Sequence, residues 1–160
     1  DDVVLIDTGT LVDGYHSDIT RTYVFGEPTA EFRKVWEHEK EAQARAFEAA
    51  QLGAPCESVD AGARDYLTGL GYGPDYRLPG LPHRTGHGIG LDIHEAPNLV
   101  RGDTTPLQSG MCFSNEPMLV IPGQFGVRLE DHFYMGESGP VWFTLPSHSL
   151  DDPFGEGAAA

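Results

Sequence analysis

The chain has 160 residues, with 25 Asp and Glu against 10 Lys and Arg, a formal charge of −15. A surface this acidic repels phosphate backbones, which excludes nucleic acid as a partner and favours divalent cations. A hydrophobic content of 39% with 8 Phe, 6 Tyr and 2 Trp excludes a disordered chain, and no apolar run approaches the ~20 residues of a membrane span.

Val3-Val4-Leu5-Ile6 is continuously apolar and predicts a buried strand. Ile19 to Phe25 alternates, with Ile19, Arg21, Tyr23 and Phe25 on one side and Thr20, Thr22 and Val24 on the other, so a second strand follows. Asp13-Gly14 between them is a turn signal and makes the pair a hairpin. Pro28-Thr29 opens a helical pattern through Phe32, Val35, Trp36, Ala46, Phe47 and Ala50, stopped by Gly53 and Pro55. Ser58 is the expected N-cap of a second helix carrying Val59, Ala63, Tyr66, Leu67 and Leu70, ended by Gly71. Gly71 to Arg101 is rich in Gly, Pro and His and reads as loop with short extended pieces. Met111 to Ile121, Gly126 to Tyr134 and Val141 to Leu145 predict three more strands.

Strands, two helices, then strands favour an α+β domain with the helices on one face of a mostly antiparallel sheet. Residues 1–150 read as that domain and 151–160 as a tail. The chain opens on Asp1, two residues before a strand, so a piece of something longer is expected. Cys56 and Cys112 stand far apart without C-x-x-C spacing and predict buried, reduced thiols.

Three of the seven histidines, His83, His87 and His94, fall in the stretch from His83 to Glu95. Glycines 86, 88 and 90 lie among them and permit unusual backbone angles or the close approach of another group. Carboxylates interrupt four apolar stretches: Asp7 ends the first, Asp18 starts the second, and Glu116 and Glu130 break two later ones. A charge in an inward-facing strand is costly unless it is paired or bound to metal. Four carboxylates and a histidine suit Mn²⁺, or Co²⁺, Fe²⁺ or Zn²⁺. They carry too much charge for one ion but suit two that share bridging carboxylates. Two ions about 3.5–4 Å apart can hold a hydroxide between them and polarise a carbonyl, which is hydrolase chemistry.

Ile6-Asp7-Thr8-Gly9, Ser17-Asp18-Ile19-Thr20-Arg21-Thr22, the His83 to Glu95 segment, Asn115-Glu116-Pro117 and Gly126-Val127-Arg128-Leu129-Glu130-Asp131 occur in this order. Together they resemble the pita-bread metallopeptidases: methionine aminopeptidase, aminopeptidase P and prolidase. The resemblance implies the pita-bread fold, incomplete at its N-terminus, and two divalent metal ions. Asp7 would chelate one metal, Asp18 and Glu130 would bridge both, and His87 and Glu116 would complete the other. A metal-bridging hydroxide would attack, with Glu116 handling its proton. His94 would stabilise the tetrahedral intermediate, His83 would line the pocket, and Arg128 would brace Glu130 or the substrate.

His83-Arg84-Thr85 and Gly126 to Asp131 resemble the prolidase and aminopeptidase P branch, which cleaves before proline. The first expectation is therefore an Xaa-Pro dipeptidase (prolidase) acting on an Xaa-Pro dipeptide or short proline-containing peptide. The alternative is Xaa-Pro aminopeptidase on longer peptides. The resemblance further implies a cytoplasmic homodimer. It also implies an upstream segment that supplies a substrate-binding histidine, without which the chain is expected to be poorly stable and inactive. Pro117-Met118 departs from the Pro-Gly common in relatives and would reshape the pocket wall. Asp7-Thr8-Gly9 also matches an aspartic-protease triplet, which would leave the histidines and the other three acids unexplained. Creatinase chemistry would not need the acids, and a non-catalytic pita-bread binding module would be expected to have lost them.

Overall fold

The computed structural model describes residues 1–155. The chain begins with two eleven-residue strands, β1 (Asp2–Val12) and β2 (Tyr15–Phe25), paired antiparallel. Asp13 and Gly14 both take positive φ, 51° and 86°, the geometry of a tight two-residue hairpin turn that follows the strands' own twist. Helix α1 (Ala30–Ala49) is capped by Thr29, whose side-chain oxygen accepts from the Phe32 amide at 3.1 Å. Its buried face carries Phe32, Val35, Trp36, Glu39, Ala42, Gln43 and Ala46, and the Trp36 indole N–H donates to the Thr22 carbonyl at 2.9 Å. That bond ties α1 to β2.

Helix α2 (Glu57–Gly69) starts from Cys56, not from Ser58. Ser58 lies inside the first turn, where its hydroxyl donates back to the Pro55 carbonyl at 2.6 Å. Gly71 follows the helix end with φ +93°. The helices pack against each other, with α2 also against β4 (Glu95–Leu99) and α1 against β5 (Cys112–Asn115), β6 (Met118–Ile121) and β7 (Phe125–Arg128).

The remaining strands are β3 (Gly86–Gly88), β8 (Asp131–Gly136) and β9 (Gly139–Trp142). They build a five-stranded sheet in the order β4-β3-β5-β8-β9, while β6 and β7 form a separate hairpin; every pairing is antiparallel. Two predicted strands are therefore divided. Met111 to Ile121 splits at Glu116-Pro117, and Gly126 to Tyr134 splits at Leu129-Glu130. Proline has no N–H for a ladder, so the chain changes sheets there. The last predicted strand sits earlier than expected, at Gly139–Trp142.

The apolar run of β1 forms a strand but not a buried one: Val3, Leu5 and Ile6 are each about 40% exposed. Its only strand partner among the described residues is β2. The core lies instead between the helices and the five-stranded sheet, around Trp36, Phe32, Phe113 and Phe133, with Phe47 stacked on Trp142 at 4.1 Å. Of the segment expected as a tail, residues 151–155 lie against the body: Pro153 accepts from Arg21 and Ser147, and Phe154 meets Tyr23 edge-on. Residues 156–160 lie outside the described residues. Among the described residues no helix is long and apolar enough to cross a membrane.

Candidate metal centre

The hairpin decides where the first two acids go. Its register pairs Asp7 with Thr20 and Gly9 with Asp18. Side chains alternate with period two, so Asp7, Asp18 and Thr20 share one face. The other face carries Arg21, which is buried against Asp131 at 2.8 Å and also donates to the Thr20 and Glu130 carbonyls. The sequence reading assigned no role to Arg21 or Asp131. Their signal was present: both lie within the quoted motifs, and a buried charge next to a ligand position calls for a partner.

A backbone bridge between Thr20 and Glu130 docks the hairpin on the break between β7 and β8. Thr20 Oγ1 donates to Glu130 Oε2 at 2.6 Å and accepts from Arg128 Nε and Nη2 at 3.2 and 3.1 Å. Arg128 thus braces Glu130 through Thr20, and it also pairs with Asp7. The second break, after β5, delivers Glu116.

His87 reaches the same place from β3. The strand packs tightly: a Cβ on Gly86 would sit 2.2 Å from the Ser114 carbonyl oxygen. Gly88 is tight as well, with a Cβ 2.8 Å from the Glu95 carbonyl oxygen, so Gly86 and Gly88 are needed for close approach; none of glycines 86, 88 and 90 has positive φ. The His87 amide donates to Ser114 Oγ at 3.0 Å. His87 Nδ1 lies 2.9 Å from the Gly88 carbonyl, which can only accept, so Nδ1 carries a proton. Nε2 then faces Glu116 Oε1 at 3.1 Å. Two acceptors this close need a second proton or a cation between them.

All eight predicted site residues, Asp7, Asp18, His83, His87, His94, Glu116, Arg128 and Glu130, line one cavity of about 410 Å³ together with Arg84. Three overlapping groups bring one donor atom per residue within 4.8 Å of one another: Asp7, Asp18 and Glu130; His87, Glu116 and Glu130; Asp18, His87 and His94. His94 comes from an exposed loop, and its ring meets that of His87 edge-on at 4.4 Å. His83 points a buried Nε2 with no hydrogen-bond partner among the described residues, its Nδ1 being 2.5 Å from the Arg84 carbonyl.

The crowding of acids shows in their protonation. Burial, then the charge of Glu116, pushes Glu130 up to about 8. Burial and the neighbouring Asp7 raise Asp18 to about 6. Glu116 moves the other way: burial pushes it up, but the hydrogen bond and charge of His87, then those of His83 and Arg128, hold it below the usual range. Burial lowers both His83 and His94. His132, which the sequence reading passed over, accepts from the Asp18 amide through Nε2 at 3.0 Å, and burial drives it down to about 4.

Glu130 is 1% exposed, and its Oε1 has no partner among the described residues. A buried carboxylate with a vacant oxygen, facing three more acids and an imidazole lone pair, is a donor set for hard or borderline divalent cations. Asp7, Asp18, His87, Glu116 and Glu130 fit two such ions. The aspartic-protease reading fails, because Asp7-Thr8-Gly9 runs through the middle of β1 and Asp7 belongs to this donor set.

The model of metallopeptidase family M24 matches residues 1–137. The chain is 45% identical over 149 residues to the Xaa-Pro dipeptidase of Lactobacillus helveticus, covering 93% of this chain and 39% of that one. Dipeptidase PepE from Mycobacterium ulcerans superposes with a TM-score of 0.84 at 40% identity, covering 92% of this chain and 39% of its own. Prolidase from Pyrococcus furiosus gives 0.80 at 42% identity, covering 88% and 40%. The chain therefore spans about two-fifths of the length of these relatives.

Proposed function

Because the chain belongs to metallopeptidase family M24 and has its pita-bread fold, we propose that residues 1–150 are the metal-bearing part of an Xaa-Pro dipeptidase. The observation that carries the reading is the donor set around Glu130, a buried acid whose vacant oxygen shares a cavity with three other carboxylates and three imidazoles. The names of the relatives, Xaa-Pro dipeptidase and prolidase, support the substrate class. Two divalent ions, Mn²⁺ first among the candidates, would supply an activated water and Lewis-acid polarisation of the scissile carbonyl when bound.

Asp7 would hold one ion and His87 and Glu116 the other, with Asp18 and Glu130 shared by both. Glu116 would take a proton onto its carboxylate, with the Arg128 guanidinium 4.0 Å away favouring its ionised form beforehand. Burial lowers His94, which favours its neutral ring, and the ring N–H would donate to the oxygen of the tetrahedral intermediate. His83 offers Nε2 to the substrate from the cavity wall. Arg128 keeps Asp7 and Thr20 in place and so fixes both ends of the donor set.

Calorimetric titration with Mn²⁺ tests the reading. Two ions per chain are expected, Glu130→Ala should lose both, and hydrolysis by the protein containing this chain should favour Leu-Pro over Leu-Ala and over Leu-Pro-Gly. A chain that binds no divalent ion overturns the reading. Preference for Leu-Pro-Gly would move it to Xaa-Pro aminopeptidase.

A further inference from the structure

We propose that Asp60 and Arg64, on α2 and outside the cavity, are positioning residues. They hold the His83 to Thr85 segment, and through it Glu116, at the metal centre. The catalytic consequence of this rests on the peptidase reading above; the geometry does not.

The two side chains are buried, at 1% and 4% exposure, one helical turn apart. Arg64 meets Asp60 as a fork, with Nε to Oδ2 at 2.9 Å and Nη2 to Oδ1 at 3.0 Å. Its other three N–H groups all go to carbonyls of the next segment. Nη1 donates to Asp75 at 2.7 Å and to Leu81 at 2.9 Å, and Nη2 donates to His83 at 2.8 Å. The guanidinium also lies 4.5 Å from the centre of the Tyr76 ring. All five donors are thus used, which fixes the orientation of the plane and of the three carbonyls with it.

Asp60 carries the chain of contacts on. Oδ1 accepts from the Thr85 hydroxyl at 2.8 Å and from the Thr85 amide at 3.2 Å, a hydrogen shared with the Leu99 carbonyl at 3.1 Å. The Thr85 carbonyl then accepts the Glu116 amide at 2.7 Å. One hub therefore sets the backbone of His83, which lines the cavity, and of Glu116, a proposed ligand. The segment between Gly71 and Thr85 lies outside any named helix or strand and is tied to the strands by a bridge of Gly80 to Val120, so the stretch from Leu81 to His83 depends on the Arg64 bonds for its placement. A buried ion pair is a weak stabiliser compared with apolar packing of similar volume, and its distinctive property here is direction. Lysine could not reproduce it, having one nitrogen and no plane.

Hydrogen exchange in the metal-free protein that contains this chain tests the proposal, with Mn²⁺ affinity by calorimetry as a second readout. Arg64→Lys should speed exchange at the Thr85 and Glu116 amides about 10- to 100-fold, the effect of losing a charge-assisted bond, while Phe133 and the α1 amides stay unchanged. Mn²⁺ affinity should fall in the same variant. Thr85→Val removes only the hydroxyl bond to Asp60 and should shift both readouts the same way by less; it decides the matter should Arg64→Lys not fold. A uniform rise at every amide, or unchanged exchange at Thr85 and Glu116, overturns the proposal. So does unchanged Mn²⁺ affinity in a chain whose wild type binds the ion. A wild type that takes up no Mn²⁺ instead overturns the function proposed above, and the exchange comparison then decides this one.

Discussion

Glu130→Gln should make the metal-free chain more stable and unable to hold metal. In the folded chain burial, then the charge of Glu116, pushes the Glu130 carboxyl from 4.5 up to about 8. The folded state therefore binds this proton more tightly than the unfolded state, and stability falls as pH rises through that window. At about 1.4 kcal/mol per unit, the ionisation penalty is about 4 kcal/mol at pH 8 and about 3 kcal/mol at pH 6.5. Burial also holds Glu39 well above its usual range, but Glu39 is common to both chains, so the difference between variant and wild type above pH 6.5 reports Glu130. Asp18 is raised only to about 6, and the His132 penalty, from a pKa lowered to about 4, has the opposite sign and grows below 6.5. Glutamine is neutral, has the same shape and can still meet Thr20 Oγ1. Urea unfolding in EDTA should show the variant about 2–4 kcal/mol more stable than wild type at pH 8, with a flatter pH profile. Added Mn²⁺ should stabilise wild type and leave the variant unmoved. A variant no more stable than wild type at pH 8 in EDTA would refute the idea that an unpaired buried acid strains the empty centre.

Asp131→Asn leaves Arg21 buried without its counter-charge and should cost about 3–5 kcal/mol in urea unfolding at pH 7. His94→Ala should lower turnover of Leu-Pro while calorimetry still counts two Mn²⁺ per chain, because the ring stands on His87 at the cavity edge rather than between the acids. Cys56 is fully buried and its thiol is pushed up to about 11 by burial, so it should resist alkylation at pH 8 until the chain unfolds; Cys56→Ser should cost about 1 kcal/mol.

Glu39 shows how far the acid problem extends behind the centre. It lies fully buried on α1, and neither oxygen makes a hydrogen bond of ordinary geometry. Burial holds its carboxyl well above the usual range, only partly offset by the nearby Leu129 amide and the Arg128 charge. The neighbouring Gln43 is satisfied, donating to the Asn115 carbonyl and to Asp131 Oδ2. The helix thus backs both strand breaks with polar groups, and the helical spacing of apolar residues alone gave no sign of it.

Much of the centre was legible because its parts are local. Asp13-Gly14 and the alternation of Ile19 to Phe25 define a hairpin, and a hairpin with that turn puts Asp7 and Asp18 on one face whatever surrounds it. The two interrupted apolar runs likewise pointed to Glu116 and Glu130, and the histidine-glycine stretch to a cluster of three histidines; choosing His87 among them needed the resemblance to the metallopeptidases. What the sequence could not determine is where strands stop and which distant groups meet. Glu116 and Glu130 lie at chain breaks rather than within strands, and the apolar run of β1 is exposed because no described element covers it. Thr20 with Glu130, Arg21 with Asp131, and Arg64 with the His83 segment join residues 19 to 110 positions apart. Such bonds depend on packing between elements and leave no period in the chain, so only the tertiary structure decides them.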